Sequence, residues 1–387
     1  MNNFIVIGST GDRRLHLFAA ALQRLGLPTP HQIDYAQLIS GEINLAEVIA
    51  AGDIVRIESP GKSWATEQAM LKAGATAAQQ EACYHPLPAT EVDQLSFDKG
   101  RILHPRQWYL GLCTTMNLIA TQLAQAPPHF LMNGPAAIKA MFDKRIVHSQ
   151  LTAVNLPIPQ TLNPIQNYEQ LWQKIQQTGI KRVFIKLAHG SSASGVVAYE
   201  TNGRQHKATT TVEMVQNEAE ISLYNSRRIR IYRDQAQIAT LIDQLCQQHV
   251  HVEQWIPKAS LNGRFCDLRI VVINGKTQHS IIRLSHTPMT NLHLLNGRAA
   301  IDILRDKINH SVWQHTQQLC TQAVAQFPHA LYAGVDLLFT PNWKQPYILE
   351  LNAFGDLLPT VRKQGMDTYE AEIKATLTKA TFIHADL

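Results

Sequence analysis

The most constraining feature is a pair of apolar runs near the C-terminus that carry polar oxygens where a buried strand has no use for them. Asp336 sits inside Gly334-Val335-Asp336-Leu337-Leu338-Phe339, and Glu350 and Asn352 sit inside Leu349-Glu350-Leu351-Asn352. Side chains alternate along a strand, so Glu350 and Asn352 share a face and Leu349 and Leu351 take the other. A loop containing Pro and Asn joins the runs, and antiparallel pairing makes Asp336, Glu350 and Asn352 converge. Two carboxylates and an amide oxygen in apolar strands repel and lose hydration unless a cation lies between them. Hard oxygen donors suit Mg2+, which takes a few carboxylates plus phosphate oxygens and water. The rival reading is an exposed hairpin edge with ordinary surface carboxylates. Ala353-Phe354-Gly355-Asp356 reads as further loop chemistry and favours the cation.

A second piece is Phe184-Ile185-Lys186-Leu187-Ala188-His189, followed by Gly190-Ser191-Ser192-Ala193-Ser194-Gly195. A lysine ending a buried strand needs an anion, and a loop of small residues can close its backbone N–H groups over phosphates. The order of a Walker A loop is missing, and a flexible surface loop is the alternative. The third piece is Asp267-Leu268-Arg269, opening a hairpin at Asn274-Gly275, with Arg283 near its far end. Arginine suits phosphate and carboxylate. An ideal two-residue turn puts Arg269 and Arg283 on opposite faces, so lining one site requires a bulge or a longer loop. Either one alone reads equally well as a surface ion pair. Arg227-Arg228-Ile229-Arg230 reads as a solvated face, with gripping of an acidic substrate as the alternative. His249 and His251 read as structural, and Cys266 as a core cysteine.

Around these pieces the chain reads as α/β. Phe4 to Ile7 is a short strand, Gly8-Ser9-Thr10-Gly11-Asp12 a turn, and Leu15, Phe18, Ala19, Leu22 and Leu25 a helix face. The third glycine of a dinucleotide fingerprint is absent, so a tight strand-to-helix turn is the better reading. Ile54 to Ile57 is another strand, and 62–130 is mostly helix and loop. A boundary falls near Ala126-Pro127-Pro128. One helix then starts at Pro135, with Ile138, Met141, Phe142 and Ile146 on its apolar face; a second carries Tyr168, Leu171, Trp172 and Ile175 and stops at Gly179. Val183–Leu187, Val250–Ile256, Leu268–Ile273 and His279–Leu284 are strands, and 311–327 is a helix. At 387 residues, two or three domains are expected. The net charge of +5 suits a protein that holds polyanionic nucleotides, and lacks the dense basic stripe that nucleic acid needs. Cys83, Cys113, Cys246, Cys266 and Cys320 are scattered, odd in number and form no C-x-x-C, which points away from disulfides and zinc and towards the cytoplasm. The N-terminus does not read as a signal peptide, no apolar stretch approaches the ~20 residues of a membrane span, and no membrane partner is expected.

Taken in order, these pieces over about Leu131 to Pro359 resemble the ATP-grasp superfamily, especially glutathione synthetases, D-alanine–D-alanine ligases and peptide-tail glutamate ligases. The resemblance implies an ATP-grasp fold, two α+β subdomains gripping ATP, preceded by an N-terminal α/β domain. The divisions are 1–126, 127–256 with the lid loop, and 257–387 with the Mg2+ strands. By resemblance, Lys144 and Lys186 are the nucleotide lysines, and Gly190 to Gly195, including Ser191 and Ser192, is the lid over the phosphates. Glu253 and the backbone of Gln254, Trp255 and Ile256 would receive adenine, and Lys258 or Ser260 would reach the ribose. Arg269 resembles the arginine near the γ-phosphate, and Asp336, Glu350 and Asn352 match the Mg2+ ligands. Arg283 with Thr290-Asn291-Leu292-His293 resembles the glutamate ligase branch. That branch continues into paired glycines, whereas here Leu294-Leu295-Asn296-Gly297-Arg298 follows.

The implied chemistry is ATP-dependent carboxylate–amine ligation through an acyl-phosphate, on a small molecule or peptide, with ATP and Mg2+ as cofactors. By position, Asp356 or His293 would assist the incoming amine. A homodimer fits the family pattern. The alternatives are a kinase on the same scaffold and a non-catalytic ATP-binding regulator.

Overall fold

The computed structural model describes residues 3–385, except 62, 192, 217–220, 355–357 and 359; side chains at 305 and 381–385 are also left aside. The N-terminal layer is a parallel sheet of β1 (Phe4–Gly8), β2 (His31–Asp34), β3 (Ile54–Ile57) and β4 (Phe130–Leu131), in the order β2-β1-β3-β4. The turn after β1 is closed by protein groups: Thr10 donates its N–H and its hydroxyl to Asp34 Oδ2, both at 2.7 Å. Asp12 caps helix Arg13–Arg24. This is the tight strand-to-helix turn. The long helix Pro105–Gln125 leads into β4, so the first sheet takes its last strand from just beyond Ala126-Pro127-Pro128.

The expected single helix after Pro135 is two, Pro135–Phe142 and Lys144–Ala153. Asp143 breaks them because it is itself an N-cap: its backbone is extended and its carboxylate accepts the Arg145 N–H at 2.9 Å. The break turns Ile146 outward and buries Val147 and Leu151 instead.

The central sheet is antiparallel, of β5 (Arg182–Leu187), β6 (Val197–Thr201), β7 (His206–Gln216), β8 (Ile221–Tyr232) and β9 (Val250–Gln254), in the order β8-β7-β6-β5-β9. Val183, Ile185 and Leu187 pack under helices Tyr168–Thr178 and Gln235–Cys246, so alternation turns Phe184 and Lys186 to the opposite, cleft side. A segment of the N-terminal part ties onto edge strand β8: Asn225 N–H donates to Gly100 O at 2.7 Å and Ile102 N–H to Leu223 O at 2.8 Å.

The last sheet holds β10 (Ser260–Leu261), β11 (Arg264–Ile273), β12 (Lys276–Ser285), β13 (Gly297–Ala300), β14 (Tyr332–Phe339) and β15 (Pro346–Asn352), in the order β13-β12-β11-β14-β15 with β10 on β11. Leu268, Ile270, Val335 and Leu337 face a core shared with helix His310–Ala325. The other face is divided. Val271, Ile273, Ile281 and Tyr332 pack against Phe4, Val6 and Phe18 of the first layer, each aliphatic side chain contributing about 1.5–3 kcal/mol by burial. Asp267, Arg269 and Asp336 occupy the rest of that face, and it is left to the cleft.

Candidate functional site

The three layers enclose a cleft of about 990 Å3, at the top of the usual small-molecule range of about 300–1,000 Å3. Its acidic end is set by register. Asp336 lies directly opposite Glu350 on one side and Arg269 on the other, and Asn352 follows Glu350 by two residues. The three expected oxygen donors therefore share a face. Strict alternation fails at one point: a bulge beside Asp336 turns both Ile348 and Leu351 to the core, and Leu349 lines the cleft beside Glu350 instead of taking the core face.

A second bulge settles the two arginines. After the turn, Ile273 pairs with Lys276 and Val272 with Thr277, but Ile270 pairs with Ser280, so β12 carries one extra residue. A one-residue slip moves every later side chain to the other face. Arg283 thus stands opposite Asp267, on the face of Arg269. Arg269 grips Asp336 through Nε and Nη2, the latter at 2.9 Å from Oδ2. Arg283 donates from Nε to Asp267 Oδ1 at 2.7 Å and places Nη1 3.1 Å from Asp336 Oδ2. Lys258 completes the group, donating to Asp267 Oδ2 at 3.1 Å and to Thr290 Oγ1 at 2.7 Å. Burial pushes the Asp267 carboxyl up, and Arg283 and Lys258 more than reverse it. Burial also raises Asp336, with Glu350 adding to the rise against both arginines.

Lys186 donates to Glu253 Oε1 at 2.5 Å, and Glu253 Oε2 lies 3.1 Å from His251 Nε2. Burial alone would raise Glu253; Lys186 and His251 hold it at about 2. Lys144, first residue of its helix, donates its N–H to Ala188 O at 3.1 Å and its ammonium to Gly190 O at 2.6 Å, 3.9 Å from Glu350 Oε2. Burial lowers the Lys144 ammonium, with nearby Lys186 acting in the same direction. Beside it His189 is enclosed: its ring stacks on Tyr109 at 3.9 Å and its Nε2 lies 2.9 Å from Asp143 Oδ2. Burial pushes His189 down to about 4. The same Nε2 also faces two guanidinium groups, Arg106 Nη1 at 3.1 Å and Arg145 Nη2 at 3.4 Å.

Among the described residues, all the expected site residues line the cleft except Trp255, Gly195 and Ser260. β9 ends at Gln254, and the Trp255 ring packs on Phe184 (5.3 Å) beneath the Arg182 guanidinium (4.1 Å). The Gln254 and Trp255 N–H groups are taken by Gln160 O and Arg182 O. Gly195 has φ +66 and is tucked against Leu187. Ser192 and Asp356 lie outside the described residues. Lys258 spends its ammonium on Asp267 and Thr290, at the arginine end of the cleft. Sequence reasoning gave no role to Asp267, Asp143 or His189. Asp267 was within reach, standing two residues from Arg269 and hence on its face; the others depend on partners far along the chain.

The donor set fits Mg2+. Asp336 and Glu350 are directly opposed, and Asn352, two residues beyond Glu350, lines the same cleft with an amide oxygen to offer. Among the described residues no three His, Cys, Asp or Glu side chains form a cage of their own, and Mg2+ draws part of its shell from phosphate and water.

No protein-family model matches the chain, and no curated protein matches it. Solved structures do match over the full length. The ATP-grasp ligase PsnB, in complex with a phosphomimetic variant of its minimal precursor, Mg and ADP, is 15% identical with TM-score 0.53, over 98% of this chain and 99% of that one. The macrocyclase MdnC bound with precursor peptide MdnA from Microcystis aeruginosa MRC is 12% identical with TM-score 0.55, over 97% and 99%. D-alanine–D-alanine ligase from Bacillus anthracis is 10% identical with TM-score 0.52, over 100% and 99%. The chain has the ATP-grasp fold: a parallel α/β sheet followed by two antiparallel sheets that face each other across the cleft. Among the described residues no helix is long and apolar enough to cross a membrane.

Proposed function

We propose that this chain is an ATP-dependent carboxylate–amine ligase acting through an acyl-phosphate, with 127–256 and 257–387 as the two halves that grip ATP. The observation that carries the reading is one cleft that gathers two half-buried lysines, two buried arginines and the Asp336–Glu350–Asn352 face. In this reading a substrate carboxylate oxygen attacks the γ-phosphorus, the bond to the β-phosphate oxygen breaks and ADP leaves. An amine then attacks the acyl carbon, phosphate departs and the amine gives up a proton. The obstacle is charge, since an anion must approach a triphosphate. Fixed cations help because they need no reorganisation as charge develops. Lys144 and Lys186 hold the inner phosphates, Arg269 faces the transferring group, and Arg283 with Asn291 orients the carboxylate. Asp336, Glu350 and Asn352 would hold Mg2+, which neutralises phosphate charge when bound. The loop from Gly190, tethered to Lys144, keeps water from the acyl-phosphate. The backbone of Gln254–Ile256 borders the adenine, and Glu253 acts on the site by holding Lys186. PsnB and MdnC were solved with precursor peptides, which favours a peptide among the substrates to be tried.

The test is ADP release over amino acids and short peptides, with the products identified. An amide plus free phosphate supports the ligase, whereas a phosphorylated product makes the chain a kinase. Glu350→Ala is expected to abolish turnover and Lys186→Ala to weaken nucleotide binding by roughly 1.5–3 kcal/mol. Full activity in the first, or an unchanged nucleotide titration in the second, removes the basis of the assignment.

A further inference from the structure

His251, which the sequence leaves as a structural residue, stands directly opposite Lys186 across the β5–β9 pair, and Glu253 shares its face two residues on. The ring is buried, and its hydrogen-bond roles are fixed from behind. The Val252 N–H, which can only donate, meets Asn163 Oδ1 at 2.9 Å. The other end of that amide, Asn163 Nδ2, therefore faces His251 Nδ1 at 3.0 Å, and an amide NH2 can only donate. Nδ1 thus keeps its lone pair, and the single proton of a neutral ring sits on Nε2, 3.1 Å from Glu253 Oε2. A second proton on Nδ1 would meet the amide donor head-on, and the charged ring would stand opposite the Lys186 ammonium. Burial works in the same direction: it lowers the imidazole against the pull of Glu253, and Lys186 and His148 add to it. His148 lies 5.0 Å away, ring to ring, and spends its Nε2 on Pro159 O at 2.6 Å.

We propose that Asn163 and His251 are positioning residues that present Lys186, through Glu253, to the phosphates of the bound nucleotide. This rests on the reading of the cleft as a nucleotide site. The neutral Nε2–H takes one Glu253 oxygen and leaves the other, Oε1, to the Lys186 ammonium at 2.5 Å. The contacts run in series from the Val252 N–H to Asn163, His251, Glu253 and Lys186. The first link is the backbone of β9 itself, so the place of the lysine in the cleft is set by the strand. A buried carboxylate that lost the imidazole donor would turn its second oxygen to the nearest cation, Lys186, and draw the ammonium back from the cleft. The neutrality of the ring matters as well. A neutral donor orients Glu253 without competing with Lys186 for its charge. A cation held in place in this way needs no reorganisation when phosphate arrives.

The test has two arms. In the first, the full chain with isotope-labelled histidine nitrogens is observed by long-range proton–nitrogen NMR between about pH 5.5 and 8. The His251 signals are identified by their absence from His251→Gln. A neutral ring protonated at Nε2 is expected throughout. Asn163→Asp, which offers Nδ1 an acceptor, should turn it into an imidazolium in the same range. A wild-type ring that is charged, or protonated at Nδ1, overturns the inference. The second arm is calorimetric titration with ADP and Mg2+, and separately with adenosine. His251→Leu should weaken ADP binding about tenfold, as loss of one buried charge-assisted contact implies. Adenosine, which has no phosphate for Lys186, should bind it as it binds wild type. His251→Gln, whose amide can accept from Asn163 and donate to Glu253, should recover most of the loss. Added to Lys186→Ala, His251→Leu should weaken ADP binding no further, because its effect passes through the lysine. Unchanged ADP binding in His251→Leu overturns the inference, as do equal losses of ADP and adenosine or full additivity with Lys186→Ala. If wild type binds no ADP, the nucleotide reading itself falls and takes the inference with it, a result distinct from ADP binding that ignores His251.

Discussion

His189 shows how much one side chain can decide. It opens the small-residue loop, its ring is enclosed against Tyr109, and its Nε2 meets the carboxylate that caps the Lys144 helix. Asp143–His189, Lys144 N–Ala188 O and Lys144 Nζ–Gly190 O are three successive ties between a lysine and the base of a loop. The histidine titrates at about 4 instead of 6.5 because burial disfavours its charged form. The sign follows directly. The folded state resists protonation, so its contribution is fully present above pH 6.5 and is lost as the pH falls towards 4. The shift amounts to up to about 3 kcal/mol. His189→Gln, which keeps a donor for Asp143, should flatten the fall in stability over this window. Urea unfolding at pH 7, 5.5 and 4.5 measures it, and identical slopes in the two proteins would refute the assignment. Nothing in the local sequence announces this site, because its partners lie 46 and 80 residues away in the chain.

At the scale of elements, the hairpin of β11 and β12 was legible and its consequence was not. Asn274 and Gly275 have φ +47 and +70, as a tight hairpin turn requires. Gly275→Val forces a branched side chain into the left-handed region and should cost about 1–2 kcal/mol, read as a lower urea midpoint; no change would mean that the turn relaxes freely. The same turn predicts Arg269 and Arg283 on opposite faces, and only the extra residue in β12 brings them together. The bulge beside Asp336 likewise displaces Leu349 from the face that alternation assigns it. β6, β7 and β8 escaped the sequence reading. Their segments, such as His206-Lys207-Ala208-Thr209-Thr210-Thr211, lack a clean apolar alternation, and β8 is an edge strand that is half-buried over most of its length.

At the scale of the molecule, one buried cation joins the first layer to the C-terminal helix Thr368–Ala385. Arg56 is fully buried; it donates to Glu58 Oε2 at 3.0 and 2.8 Å and to Glu372 Oε2 at 2.7 Å, between the rings of Phe18, Tyr332 and Tyr369. Burial raises Glu372 to about 7 even with this partner. Arg56→Met strands two carboxylates and should cost about 3–5 kcal/mol. Adding Glu58→Gln and Glu372→Gln should restore most of it. Urea unfolding tests both; a triple variant no better than the single would deny the ionic origin. Local chemistry in the sequence determined β1, β3, β5, β9, β11, β12, β14 and β15, the Asn-Gly turn and the residue types of the cleft, because alternation, helical period and capping act over two to four residues. The tertiary structure alone decided which charges meet. Register slips at two bulges, and ion pairs such as Arg56–Glu372 across 316 positions, are chosen by the combined free energy of groups that no short window contains together.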